Sequence, residues 1–400
     1  MTHDLPATSP NAHWLGILGG GQLGKMFIQA AHTLNYKVAL LAPEQDCPAS
    51  AIADRHIVAD YLDAEALSEL SNLTDYITTE FENVPVEALE ILAKSCTTAP
   101  SAACVAIAQN RILEKNFINQ LGQKTQVYTA PFHLIQNTFD LENVEEKLFP
   151  AILKRATQGY DGKGQISVRT ALELANAWQE LDLSPSVLEK KLDLDFEVSI
   201  VLARASNGQT QLYPLSENVH REGILIMATV PCQRGSQELH EKIQKTAFAI
   251  AHELNYIGVL CVEFFVLTDG TLVVNEIAPR PHNSGHYTLE QGYPSQFEQQ
   301  VRALIGQDLA PLAPIVPIEP IKHSVMLNLL GDLWFQHDPE LAQEPDWDAI
   351  CALAGAHLHL YGKKEARRKR KMGHITFTGN ERQTVLDNAA RACAMLGIEI

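Results

Sequence analysis

The sequence is short of paired cysteines, of long apolar runs and of positive charge. Its seven cysteines (Cys47, Cys96, Cys104, Cys232, Cys261, Cys351 and Cys393) are an odd number and form no C-x-x-C pair. That argues against a zinc ribbon or a disulfide framework and fits a reducing compartment. No apolar run reaches the roughly 18 residues that a membrane-spanning helix needs. The first thirteen residues lack a basic stretch followed by an apolar one, so no signal peptide is expected and the expected location is cytoplasmic. With 48 acids against 31 bases, the formal charge is −17. Such a surface disfavours both nucleic acid, which demands lysine and arginine against phosphates, and an anionic membrane. There is no internal repeat.

What is present is an ordinary globular composition, 46% hydrophobic over 400 residues. At about 150 residues per domain this predicts two or three domains. The first hundred residues alternate strand and helix: "HWLGILG", "KVALLAP", "RHIVAD" and "DYITT" read as strands of a parallel α/β unit. Ser101 is a candidate N-cap for one helix running through Arg111 to about Gln120. A second region then mixes short strands ("FPAILKRA", "GQISVRT", "SVLEKKL", "FEVSIVLAR", "GILIMATVP") with a long amphipathic helix from Ser236. "GVLCVEFFVLTDGTLVVNEIAPR" reads as a hairpin. The Pro-rich "LAPLAPIVPIEPI" reads as a crossing into a last unit with the strand "HSVMLNLLG", a basic run, the strand "GHITFTG" and a closing helix.

Five constellations could carry chemistry. Gly19-x-Gly21-x-x-Gly24 sits between a strand and a helix, where backbone amides can approach an anion. Glu44 follows at the spacing a dinucleotide site would use for its ribose. A tight turn explains the glycines equally well. In the hairpin, Asp269-Gly270 is a favoured two-residue turn. It would set Phe265 opposite Val274, Phe264 opposite Asn275 and Glu263 opposite Glu276. Like charges facing each other repel, so either the acids diverge on a solvent-exposed face or they share a divalent cation, and oxygen ligands suit magnesium. Lys154 ends the apolar strand "AILK" and is either an ordinary surface lysine or a point charge for a phosphate. The glycine-rich "QGYDGKGQ" after it is either a hairpin turn or a loop that closes over substrate. "APRPHNSGHYT" (278–288) is dense in hydrogen-bond donors just beyond Glu276, as an anion-binding loop would be. "KKEARRKRK" (363–371) is either a solvated basic face or a focused field for a substrate phosphate.

Taken together, these motifs resemble the ATP-grasp ligases. "GGGQLGKM", "GYDGKGQ", "NEIAPRPHNSGHYT" and "RKMGHI" resemble, more narrowly, the N5-carboxyaminoimidazole ribonucleotide synthetase family of purine biosynthesis. The likeness runs from the first strand to the basic run. It implies a mixed α/β ATP-grasp fold: a Rossmann-like pre-ATP-grasp domain over 1–100, an ATP-grasp domain over 101–310 with a lid subdomain near 125–192, and a small C-terminal domain over 311–400. It implies an enzyme that uses ATP, magnesium and bicarbonate to carboxylate 5-aminoimidazole ribonucleotide through carboxyphosphate. It also implies a homodimer with small-molecule partners.

On the same resemblance, Arg111 and Lys154 contact ATP phosphates, and Gln158, Gly159, Tyr160, Asp161, Gly162, Lys163 and Gly164 fold over them. Glu189, Lys190, Lys191 and Leu192 line the adenine pocket, mostly through backbone. Glu197 takes the ribose hydroxyls, and His220 and Asn275 complete the nucleotide site. Glu263 and Glu276 hold magnesium. Tyr160, Asp161, Lys163, Arg280, His282, Asn283 and Ser284 face the ribonucleotide or bicarbonate. Gln22, Leu23, Glu80 and Glu82 line its other side. Lys363, or Lys364 if the run is one residue longer, and Arg370 take its phosphate. Two positions depart from the family pattern: Gln158 replaces a glycine, and Lys163 stands for an arginine, keeping charge without the bidentate fork. Formate-dependent glycinamide ribonucleotide transformylase shares the early glycine loop but is disfavoured by "HNSGH" and the basic run. A nicotinamide-dependent oxidoreductase leaves the acidic pair unexplained. A non-enzymatic ATP sensor would bind nucleotide without turnover.

Overall fold

The computed structural model describes residues 13–157, 159, 164–312, 322–336, 338 and 340–399. The Pro-rich crossing expected at 309–321 therefore falls mostly outside the described residues, as do Gln158, Tyr160, Asp161, Gly162 and Lys163.

The N-terminal sheet is parallel. Its spatial order is Arg55–Ile57, Lys37–Leu41, Trp14–Leu18, Tyr76–Thr79, Thr97–Thr98. Strand order reverses at Trp14–Leu18, and in open α/β sheets that reversal opens a crevice beyond the carboxyl ends. The glycine loop leaves one strand there, and Glu80 and Glu82 leave its neighbour Tyr76–Thr79.

A four-stranded antiparallel sheet follows, ordered Phe132–Ile135, Ser186–Lys190, Ala151–Arg155, Gln165–Val168. A ten-stranded sheet forms the body. Its inner strands Leu194–Arg204, Gly258–Leu267 and Leu272–Ala278 pack one face on the helices Arg111–Thr125 and Gln237–Glu253. The alternation is plain along Gly258–Leu267: Leu260, Val262, Phe264 and Val266 enter that core, and Glu263 points the other way. The strands His323–Leu330 and Lys371–Gly379 continue the same sheet, through Met227↔Leu327 to Val230↔Ser324.

Three local readings are corrected. The single helix expected from Ser101 is two, Ala102–Gln109 and Arg111–Thr125. Asn110 breaks it in an extended conformation, and its side chain caps the amides of Ile112 and Leu113. Asn and Asp favour such caps because their oxygen satisfies the orphan donors of the first turn. The break puts Arg111 at a helix start.

The hairpin turn is longer than two residues, so Phe265 faces Val273 and Phe264 faces Val274. An irregularity then returns the pairing to Glu263↔Glu276. The extra residue is Asn275, which a bulge turns toward the same side as Glu276. The strand Ser216–Arg221 is the third correction. Its charged, unpatterned sequence hid it, and it carries His220 at a second register shift.

Candidate active site

The three sheets enclose a cleft of about 1110 Å³. Pockets for one small ligand run to about 300–1,000 Å³, so there is room for more than one. Gln22, Leu23, Glu80, Glu82, Arg111, Lys154, Gly159, Glu197 and His220 line it. So do Glu263, Asn275, Glu276, Arg280, His282, Asn283, Lys363 and Arg370. Among the described residues, nine lysines and arginines and seven glutamates line this space, a slight excess of positive charge in an acidic protein.

The acidic pair sits on the cleft wall. Glu263 is 6% exposed, and burial pushes its pKa up to about 7, with Glu276 adding to the rise and His220 opposing it. Asn275 Nδ2 donates to Glu263 Oε2 at 3.5 Å, and His282 Nε2 lies 3.2 Å from Glu263 Oε1. Burial holds His282 well below the usual histidine range, so it is neutral. Arg111 reaches Glu276 at 3.7 Å and the Gly159 carbonyl at 3.5 Å. Two opposed carboxylates beside a side-chain amide are an all-oxygen donor set short of one positive charge, which fits a hard divalent cation.

Next to the pair, His220 Nδ1 lies 2.6 Å from Glu197 Oε2. Burial works to lower its pKa, but Glu197 and Glu263 overcome this and raise it to about 9. Lys154 Nζ is 3.1 Å from Glu189, whose other oxygen is 3.1 Å from Lys115. Glu189 is 4% exposed and lies behind the cleft wall. Burial would raise its pKa, yet Lys154, Lys115 and Arg111 hold it down at about 2. Of its neighbours, Lys190 is half-buried, Lys191 exposed and Leu192 half-buried. Gly164 takes a positive φ of 70°, and its carbonyl accepts from the Arg155 amide.

The first glycine loop is already filled. Glu80 accepts from the amides of Gly21 and Gly24, the latter at 2.7 Å. A Cβ at Gly21 would stand 2.4 Å from Glu80 Oε1, so only glycine allows the approach. The amides that a dinucleotide pyrophosphate would use are spent on this carboxylate, and Glu44 is exposed. Glu82 pairs with Arg280 at 2.5 Å; burial opposes its ionisation, but Arg280 holds its pKa at about 2.

Beyond Arg280, Ser284 is wholly buried. Ser199 donates to its hydroxyl at 2.8 Å, and His282 Nδ1 is 2.9 Å from it. It steadies His282 from behind, while His282 and Asn283 reach the cleft. Across the cleft, the basic run packs against Gly331, where a Cβ would meet the Arg367 carbonyl at 2.1 Å. The Gly331 amide donates to the Arg370 carbonyl at 2.8 Å, and the Lys369 amide donates to Asp332 at 2.6 Å. Lys363 turns inward, donating to the Lys371 carbonyl at 2.7 Å, whereas Lys364 is exposed and pairs with Asp46.

The sequence reading missed Glu114 and Lys115. Glu114 Oε1 accepts the Ile277 amide at 2.7 Å, next to Glu276, and burial raises its pKa to about 8. The signal was available: Glu114 and Lys115 occupy the helical stripe shared with Ile118 and Leu121. Charges on an otherwise apolar stripe mark a buried polar contact.

Comparison with known proteins agrees with this geometry. Residues 13–109 match a ribonucleotide synthetase preATP-grasp domain, 120–297 an ATP-grasp domain, and 324–388 a phosphoribosylaminoimidazole carboxylase C-terminal domain. An N5-carboxyaminoimidazole ribonucleotide synthase of Brucella melitensis is 42% identical over 374 residues, 90% of this chain and 95% of that protein. A solved N5-carboxyaminoimidazole ribonucleotide synthetase in complex with ADP superposes with a TM-score of 0.85 at 36% identity, covering 97% of each chain. The Aspergillus clavatus enzyme with ADP and 5-aminoimidazole ribonucleotide gives 0.83 at 28% identity, over 97% of this chain and 99% of that one. The chain belongs to the N5-carboxyaminoimidazole ribonucleotide synthase family of ATP-grasp ligases.

Proposed function

We propose that this chain uses ATP and bicarbonate to carboxylate the exocyclic amine of 5-aminoimidazole ribonucleotide. The observation that carries the reading is one cleft with a cation-seeking acidic pair, Glu263 and Glu276, and a phosphate-seeking basic loop, 363–371. A nucleoside triphosphate fits the first, beside Lys154 and Arg111, and a ribonucleotide monophosphate fits the second. In the first step a bicarbonate oxygen attacks the γ-phosphorus, the β–γ bridging bond breaks, and ADP leaves. In the second the amine nitrogen bonds to the carbon of carboxyphosphate, phosphate leaves, and the amine loses a proton.

Glu263 and Glu276 would hold magnesium, which would supply positive charge against the ATP phosphates. Lys154 and Arg111 would orient the triphosphate, Glu197 the ribose, and the backbone of Glu189, Lys190, Lys191 and Leu192 the adenine, the Glu189 side chain being turned to Lys154 and Lys115. His220 and Asn275 would complete the nucleotide side. Lys363 and Arg370 would anchor the substrate phosphate, with Gln22, Leu23, Arg280, His282 and Asn283 around the imidazole. Glu80 and Glu82 line the cleft but are committed to the Gly21 amide and to Arg280, while Ser284 acts from behind, through His282. Gln158, Tyr160, Asp161, Gly162 and Lys163 are assigned by resemblance alone.

All seven cysteines are free, which suits a reducing compartment, and no helix of the described residues is long and apolar enough to cross a membrane. The cytoplasmic homodimer implied by the resemblance is checked by fractionation and by sedimentation. The activity test follows ADP and carboxylated product together, with ATP, magnesium and 5-aminoimidazole ribonucleotide, with and without bicarbonate. Product only with all components present is the expected result. ADP release driven instead by formate and glycinamide ribonucleotide would overturn the substrate assignment.

A further inference from the structure

Lys154 is not free of counter-charge. Its Nζ lies 3.1 Å from Glu189 Oε1, and that pair alone carries no net charge. A phosphate would meet a lysine already neutralised. The other carboxylate oxygen, Oε2, lies 3.1 Å from Lys115 Nζ. Lys115 is 2% exposed, is absent from the cleft wall, and sits 5.7 Å from the Phe132 ring centroid. Burying an ammonium is costly, and a well-packed apolar side chain is often as good or better for stability. Stability therefore does not call for lysine on a stripe shared with Ile118 and Leu121. What the lysine does supply is a second positive charge on Glu189.

We infer that Lys115 is a positioning residue for the nucleotide: it occupies one oxygen of Glu189, so that the Lys115–Glu189–Lys154 cluster keeps a net positive charge and presents the Lys154 ammonium to a phosphate. The cluster is gripped from two elements. Glu189 and Lys154 stand on adjacent strands, where Glu189 faces Ile152 and Val187 faces Lys154. Lys115 rises from the helix Arg111–Thr125. Glu114, the other acid in the field of Lys115, has one oxygen committed to the Ile277 amide. The inference rests on the proposed placement of ATP at Lys154.

The test is calorimetric binding of ADP, and separately of adenosine, to the full-length protein, to Lys115→Met and to Lys115→Met/Glu189→Gln. Lys115→Met is expected to weaken ADP about tenfold and to leave adenosine within about twofold. The double variant removes the carboxylate charge and should return ADP to within about threefold of the unmodified protein. Unchanged ADP binding in Lys115→Met overturns the inference. So does an equal loss for adenosine, or no recovery in the double variant. If the unmodified protein fails to bind ADP, the ATP assignment falls and takes the inference with it, a failure visible before any variant is made. Should Lys115→Met not fold, the double variant is compared with the unmodified protein alone. Both clusters carry one net positive charge, so the two must bind ADP within about threefold, and a larger loss in the double variant overturns the inference.

Discussion

Glu189 and Glu263 are both buried beside one cleft, 4% and 6% exposed, and their pKa values move in opposite directions. Glu189 is held at about 2 and Glu263 is pushed up to about 7. Burial opposes the charge in both. The difference lies in the neighbours: Glu189 has Lys154 and Lys115 on its two oxygens, while Glu263 faces a second carboxylate across the hairpin. One acid is complete within the protein. The other keeps a like charge across from it that His220 offsets only in part, as a cation-binding carboxylate would.

That contrast can be broken at either end. The largest effect is expected at Glu276→Gln, which halves the proposed cation site. Turnover should fall by roughly a thousandfold or more, since metal stabilisation of transferring phosphoryl groups is worth several kcal/mol. A thermal melt should show the fold intact, and undiminished ADP production would end the metal-site reading. Next is Lys154→Met. Losing a charge-assisted bond worth about 1.5–3 kcal/mol should raise the KM for ATP roughly ten- to a hundredfold. Steady-state kinetics at saturating ribonucleotide would measure it, and an unchanged KM would detach Lys154 from the triphosphate.

A smaller effect is expected at Glu80→Ala, which orphans the amides of Gly21 and Gly24. The cost should be about 1–3 kcal/mol of stability, read from denaturant unfolding. No loss would mean that water replaces the carboxylate.

The smallest effect is in titration. His220 is raised to about 9 from its ordinary 6.5. Its stabilising contribution is therefore complete below about pH 6.5 and is lost as pH rises through about 9. Glu189, lowered to about 2 from 4.5, gives the opposite window: its contribution is present above about 4.5 and lost as pH falls toward 2. NMR of the His220 ring in metal-free protein should show it protonated at pH 8. A neutral ring there would remove Glu197 as its partner.

Most of the fold was legible because strand alternation and helix spacing are local signals. The Glu263–Glu276 pairing was reached by counting from the turn, although the turn was wrong by one residue and Asn275 restores the count. A bulge leaves no mark in hydrophobic pattern, so that agreement owed something to compensation. Ser284 and Glu80 read as substrate contacts because polarity does not reveal depth or prior partners; the packing of distant segments buries Ser284 and commits Glu80 to the Gly21 and Gly24 amides. Lys115 was overlooked because its partner lies on a strand 74 residues further along the chain.

The ten-stranded sheet has a consequence for anyone dividing this protein. The strand Ile224–Val230 is interior only because His323–Leu330 lies against it. A fragment ending near residue 310 would still contain every nucleotide-side group named here, yet it would turn that strand into an open, mostly buried-type edge of sequence ILIMATV. Such edges recruit other chains. The C-terminal segment thus covers an edge that the catalytic body would otherwise present to solvent, and the strand it covers lies about a hundred residues earlier in the chain.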